Sequence, residues 1–238
     1  MNPDRIILID KPAGISSFGA VNRVRKFLTI QKRAAETAAG ISIPNQTKRV
    51  KVGHTGTLDP FATGLLILLS GKMTRRASEF SHLDKIYQAE IRLGQTSTTG
   101  DPEGEITPRP VREIPSRAQI EKILPKFTGR IQQIPPIYSA IKIGGRRAYQ
   151  LARAGEKPAM PTRTVEIYAL EILDYGWPIL KIRAHVSSGT YIRTLAEDIG
   201  AALGVGAFTK NLRRLKVGNF DVKDARPLSD FDLNPANG

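Results

Sequence analysis

The chain has 238 residues, carries 36 Lys and Arg against 22 Asp and Glu for a formal net charge of +14, and contains no cysteine. That length holds one large domain or two small ones. The missing cysteine excludes disulfides, thiolate catalysis and cysteine zinc sites, and the charge points to a polyanionic partner. Nucleic acid is the first such partner to consider, an anionic membrane surface the second, and a solvated basic surface the plain alternative. His54, His82 and His185 show no HxxxH or HExxH spacing, which argues against a histidine metal site. The N-terminus lacks a basic stretch followed by a long apolar run, and the longest apolar run, Leu65–Ser70, is far too short to span a bilayer. A soluble cytoplasmic protein with no membrane contact is expected.

In chain order, Ile6–Ile9 reads as a strand ended by the turn Asp10–Gly14. Ser17 reads as the N-cap of a helix whose apolar stripe is Val21, Val24 and Leu28, with Arg23, Arg25 and Lys26 outside the stripe. Periodicity is lost over residues 31–50, which reads as a mobile surface insertion. The glycine- and threonine-rich stretch Gly53–Gly64, "GHTGTLDPFATG", precedes a buried strand at Leu65–Ser70 and a short helix near residues 72–82. Ile86–Leu93 alternates, with Tyr87, Ala89, Ile91 and Leu93 on one face. Gly94–Glu105 is a loop by composition. Ser116 and Gln119 make a capping box before a helix carrying Ile120, Ile123, Leu124 and Phe127. Leu180–Ser187 alternates again. Ser188–Gly204 is the strongest helix, with Gly204 as its C-terminal stop. Strands and helices intermix without a βαβ beat, which favours a mixed-sheet α+β fold over a doubly wound one.

A P-loop fails on spacing, because six residues separate Gly64 from Gly71 and Met73 follows Lys72. Asp59 has two readings. An Asp-Pro in a loop is ordinarily a turn former. Yet Gly53, Gly56 and Gly64 permit close approach of a ligand, three threonines can fix the loop, and His54 offers a flat ring for stacking. One carboxylate on a rigid loop suits a nucleophile. Arg193 lies just off the buried face of its helix, where a surface pair with Glu197 competes with a buried partner elsewhere. Tyr87 and Leu212 read as core. Two basic clusters stand out: Lys142–Arg163, which includes Arg146 and Arg147, and Lys210–Lys216. Both are read as a phosphate-backbone footprint.

Together these residues resemble a known family. "GHTGTLDPFATGLLILLSGKMTR" resembles the catalytic motif of the TruB family of tRNA pseudouridine(55) synthases, whose eukaryotic relatives include the dyskerin group. "LIDKPAGISS", "DKIYQAEIRLGQTSTTGDPEGE", "IPPIYSAIKIGGRRAYQLARAG", "SSGTYIRTLAEDIGAALG" and "LRRLKVGNF" follow the family's order. The resemblance spans about residues 5–230 apart from 31–50. It implies a single pseudouridine synthase catalytic domain: a mixed, mostly antiparallel sheet with flanking helices around a central RNA-binding cleft. It also implies isomerisation of uridine 55 in the T loop of tRNA, by a monomer that needs no cofactor or metal.

By matching positions, Asp59 would be the catalytic aspartate, acting as nucleophile or in removal of a sugar proton. Tyr87 would stack on the flipped uracil, and Arg193 would pair with Asp59 and keep it ionised. Leu212 would wall the pocket, and His54 would fill space left by flipped bases. Tyr191, Arg146 and Arg147 join the substrate-binding set, as does Lys11, whose motif with Pro12 is mainly structural. Residues 134–163 resemble a mobile loop that closes on the T arm. The sequence departs from the family in its 31–50 insertion and in ending at Gly238, too soon for a C-terminal module of the PUA type. The alternative reading is a non-catalytic RNA binder or tRNA-folding chaperone on the same scaffold.

Overall fold

The computed structural model describes residues 4–40 and 49–232. The chain groups into two compact units. Residues up to Leu83 and from Arg213 onward form the first, and Asp84–Leu212 form the second. The first begins with β1 (Ile6–Lys11), α1 (Ser17–Ala38), β2 (Val52–His54), β3 (Thr63–Ser70) and the short α2 (Ala77–Ser81). In the second unit β4 (Lys85–Leu93), β5 (Gln95–Ser97), β6 (Ile106–Pro108), α3 (Arg117–Ile123) and β7 (Gly129–Gln133) come first. The hairpin β8 (Lys142–Ile143) and β9 (Arg146–Arg147) leads into α4 (Ala148–Arg153), β10 (Arg163–Gly176), β11 (Ile179–Val186) and α5 (Ile192–Ala202). Strand β12 (Ala207–Val217) carries the chain back to the first unit, which β13 (Phe220–Asp221) and β14 (Arg226–Pro227) complete.

In the first unit the strand order is β14-β1-β3-β12, with β2 also on β3 and β13 on β12. Strand β1 runs antiparallel to β3 from Ile6↔Leu69 to Lys11↔Gly64, and β12 lies parallel to β3 at Arg213↔Thr63 and Arg214↔Gly64. Leu65 through Leu69 are at most 1% exposed, so β3 is covered on both faces, which is why its sequence is continuously apolar rather than alternating. Leu65, Ile67 and Leu69 pack with Phe80 and Val217. Each such side chain contributes about 1.5–3 kcal/mol on burial.

Helix α1 starts one residue earlier than expected. Ser16, not Ser17, is its N-cap and accepts from Gly19 N at 3.0 Å. The helix also continues through residues 31–38, where the loss of apolar periodicity suggested an irregular insertion. Gln31, Lys32, Arg33, Ala34, Ala35 and Glu36 are strong helix formers, and a largely exposed extension needs no apolar stripe. Positions 41–48 of that expected insertion lie outside the described residues.

The second unit orders its strands β12-β4-β11-β10-β7, antiparallel from β4 to β7. Strand β4 alternates as expected: Lys85, Tyr87, Ala89, Ile91 and Leu93 are buried. The loop expected over residues 94–105 begins with β5, which pairs with β6 just beyond it at Gln95↔Pro108. The capping box at Ser116 and Gln119 forms as the sequence suggested. Helix α5 begins at Ile192 rather than Ser188, because Gly189 adopts φ +83° and Thr190 folds back on Ser187 before the helix can start. Its end comes at Leu203, followed by Gly204 at φ +73°. Mixed, mostly antiparallel strands with interspersed helices make this the expected α+β architecture.

Candidate active site

In the first unit, the stretch Gly53–Gly64 leaves β2 and enters β3 as a loop tied down from three directions. Ser17, at the start of α1, binds Leu58 twice: its Oγ donates to the carbonyl and accepts from the amide, both at 2.8 Å. Lys11 is 0% exposed, and its Nζ donates to the carbonyls of Pro12 and Ile15 at 2.8 Å and of Pro60 at 3.3 Å. Gly14 N adds a bond to the Pro60 carbonyl. Arg214, 2% exposed on β12, donates to the carbonyls of Leu65 at 2.7 Å, Gly56 at 3.1 Å and Thr57 at 3.4 Å. A buried guanidinium with five donors in a fixed fork suits this task, since loop carbonyls left without donors carry a desolvation cost of about 1–3 kcal/mol each.

Gly64 shows how tightly this is built. Its φ is +101°, and a Cβ there would sit 2.2 Å from the Arg214 carbonyl oxygen, so only glycine lets β3 and β12 approach. Around Asp59, Leu58 and Ala62 are buried while Asp59 stays partly exposed, and its carbonyl accepts from Ala62 N. The result is a fixed backbone that presents one carboxylate. His54 ends β2, opposite Leu68.

The remaining candidates lie in the second unit. Tyr87 is 8% exposed on β4, opposite Ala184. Leu212 is equally buried on β12. Arg193 is not at the edge of the buried face, as its helical position suggested, but almost fully buried. Its Nη1 donates to Asp101 Oδ2 at 3.0 Å and the Thr99 carbonyl at 2.8 Å, and its Nη2 donates to the Tyr138 carbonyl at 2.9 Å. The surface pair with Glu197 is thus replaced by a buried ion pair with Asp101. Asp101 is itself held by Thr99 Oγ1 at 2.5 Å and Glu103 N at 3.0 Å. Gly100, at φ +72°, lets the loop press against α5, where a Cβ would meet Glu197 Oε1 at 2.9 Å. Burial pushes the Glu197 carboxyl up to about 7; Arg193 opposes the rise, and Asp198 and Asp101 add to it.

Tyr191, just ahead of α5, has its backbone clamped by Gln133, whose Oε1 accepts from Tyr191 N at 3.0 Å and whose Nε2 donates to its carbonyl at 3.3 Å. Arg146 and Arg147 are exposed on the β8–β9 hairpin, whose Gly144–Gly145 turn has φ +56° and +83°, both positive as a tight hairpin turn requires. Arg146 pairs with Glu156 at 2.9 Å.

The basic cluster Lys210–Lys216 divides between the interior and the surface. Strand alternation turns Arg214 inward, whereas Arg213, paired with Asp10 at 2.7 Å, and Lys216, paired with Asp221 at 3.4 Å, keep much of their side chains in solvent, and Lys210 is exposed. Asp101 and Gln133 carry no sequence signal, Ser17 is read from sequence only as a helix N-cap, and Arg214 only as one cation of a basic cluster. The one available signal was the alternation Leu212–Arg214 on a strand.

Family models decide the affiliation. A model described as "TruB family pseudouridylate synthase (N terminal domain)" matches residues 45–192, and "tRNA pseudouridylate synthase B C-terminal domain" matches 193–234. The chain belongs to the TruB family. Among its TruB relatives, "tRNA pseudouridine synthase B" of Cupriavidus pinatubonensis is 42% identical over 231 residues, covering 95% of this chain and 67% of that protein. The protein of the same name from Endomicrobium trichonymphae is 41% identical over 232 residues, covering 97% and 92%. Among solved structures, a chain of a Cbf5-Nop10-Gar1 complex matches with a TM-score of 0.67 and 29% identity over 94% of this chain. A chain of an H/ACA RNP bound to a substrate RNA containing 2'-deoxyuridine matches with a TM-score of 0.63 and 27% identity over 94%. This chain spans about half the length of either, 52% and 51%. The N-terminal TruB model contains Asp59 and Tyr87, and the C-terminal one opens on Arg193.

Proposed function

We propose that this protein isomerises uridine 55 in the T loop of tRNA to pseudouridine, acting as a monomer in the cytoplasm. The observation that carries the reading is the loop Gly53–Gly64, which holds a partly exposed Asp59 on backbone fixed by Ser17, Lys11 and Arg214, within a TruB motif. In this reaction the N1–C1′ bond breaks, the base turns, and a C5–C1′ bond forms. C5 gives up its proton and N1 gains one, so the product is an isomer and nothing is consumed. Asp59 acts on the sugar, as nucleophile at C1′ or as the base that removes a sugar proton. The Arg193 guanidinium pairs with Asp59 and favours its ionised form in a site shielded from water. Tyr87 stacks on the everted uracil, Leu212 walls the pocket, and His54 and Tyr191 contact the displaced loop.

Everting a stacked nucleotide costs a few kcal/mol, which phosphate contacts and stacking must offset. Arg146 and Arg147 on the β8–β9 hairpin meet the T arm, and residues 134–163 order on it. The test is an Asp59→Asn variant with a T-arm stem-loop. The expected result is no pseudouridine and RNA affinity within a few-fold of wild type. Wild-type protein that binds tRNA but forms no pseudouridine would instead identify an RNA-binding protein, and release of free uracil would identify a hydrolase.

A further inference from the structure

The proposed function leaves unused a cluster of cations on the first unit. It surrounds one junction, where Thr29 of α1 accepts through Oγ1 from Val50 N at 3.1 Å. That bond lays the segment before β2 alongside the helix. On α1, Lys26 and Arg33 stand three residues before and four after Thr29, on the same face. On the segment, Arg49 and Lys51 flank the buried Val50. All four basic side chains are exposed.

Acidic neighbours do not neutralise them. Glu36 is engaged by Lys32 at 3.5 Å, Asp232 by Arg23 at 2.9 Å, and Glu79 by Arg76 at 2.7 Å. Among the described residues, none of the four cations has an ion-pair partner. Lys26 and Arg33 lie about 10 Å apart along the helix axis. Arg49 and Lys51 lie about 7 Å apart. A patch of that size passes about three phosphates of one duplex strand.

We infer that this α1–β2 patch is a second nucleic-acid docking surface, which grips the phosphate backbone of a duplex stem of the same RNA whose uridine reaches Asp59. The inference rests on the tRNA reading for the identity of that RNA. The fold ties the two places together, because the same helix that carries Lys26 and Arg33 begins at Ser17, the residue that clamps Leu58 beside Asp59. At 1.5 Å per residue the two cations lie about 13 and 24 Å along the helix from that clamp, a distance at which the stem rather than the loop of a hairpin is met. A membrane surface fits less well. An interfacial helix needs a free apolar face, and that of α1, with Ala20, Val21 and Val24, is already buried in the unit.

The test compares two variants of the full chain. One carries Lys26→Gln, Arg33→Gln, Arg49→Gln and Lys51→Gln. The control removes the same charge from exposed sites of the second unit, through Arg112→Gln, Lys122→Gln, Lys126→Gln and Arg130→Gln. Binding of whole tRNA is measured against salt concentration. The patch variant is expected to bind at least tenfold more weakly near 150 mM salt. Its slope of log K against log salt should be shallower by about 2–3, at about 0.7–0.9 per lost phosphate contact. A charge-preserving variant, Lys26→Arg with Arg33→Lys, Arg49→Lys and Lys51→Arg, should bind like wild type, which separates lost charge from a damaged fold. Equal losses in the patch and control variants overturn the proposal. So does unchanged tRNA binding accompanied by lost binding to phosphatidylserine vesicles. Pseudouridine formation by wild type is scored in parallel. If wild type forms none while the salt slopes behave as expected, the isomerase reading falls and the docking surface stands.

Discussion

The Arg193–Asp101 pair lends itself to a quantitative test. Both side chains are 4% exposed, and the charged atoms are 3.0 Å apart. At an effective dielectric of ~20 their attraction is about 5 kcal/mol, of which desolvation of both groups takes back a large part. Replacing one partner leaves the other's desolvation cost without that return. Asp101→Asn, which keeps shape and removes charge, should therefore cost about 3 kcal/mol, toward the low end of the range for breaking a buried pair. Against a total stability of about 5–15 kcal/mol this is a severe loss. Arg193→Gln should cost a similar amount. The double variant should cost well under the sum, with a coupling of at least about 2 kcal/mol. Urea unfolding followed by the fluorescence of Trp177, the chain's single tryptophan, reports on the second unit directly. A coupling below about 0.5 kcal/mol would refute the claim that these charges are held together in a low-dielectric interior.

Arg214→Lys keeps the charge but loses the fork that reaches the Gly56 and Thr57 carbonyls. Because a displacement of about 1 Å in a reacting group costs on the order of 100-fold, kcat should fall by roughly 10–100-fold with KM for tRNA within about threefold, as read by steady-state pseudouridine formation. Glu197, whose carboxyl is raised to about 7 from an ordinary 4.5, gives a pH signature. The folded protein holds that proton more tightly than the unfolded chain, so this group's contribution is complete below pH 4.5 and declines as pH rises toward 7. With solvent screening allowed for, the decline is about 1–2 kcal/mol. Melting temperatures of Glu197→Gln should therefore fall less than wild type between pH 5 and 7, and parallel curves would contradict it.

Much of this was legible beforehand because it is local. The alternation of β4, the apolar run of β3, the capping box at Ser116 and Gln119, and the stop at Gly204 follow from neighbours a few residues apart. What escaped depends on partners far along the chain. Arg193 finds Asp101 across 92 positions and Arg214 finds Gly56 across 158, and no periodicity encodes either. Within Lys210–Lys216, composition alone does not distinguish the inward Arg214 from its outward neighbours. The helix over residues 31–38 was missed for the opposite reason: exposed turns obey intrinsic propensity, and the expectation was built on burial.

The clamp by Arg214 also bears on how the protein matures. The aspartate-bearing loop emerges from the ribosome about 150 residues ahead of the side chain that fastens it. At synthesis rates of about 5–20 residues per second, that is an interval of roughly 8–30 s. During it the loop has Ser17 and Lys11, encoded upstream, but lacks its third anchor. A nascent or prematurely terminated chain thus carries every residue of the Gly53–Gly64 motif without the guanidinium that holds its Gly56 and Thr57 carbonyls, so the loop's set of anchors is complete only near the end of translation.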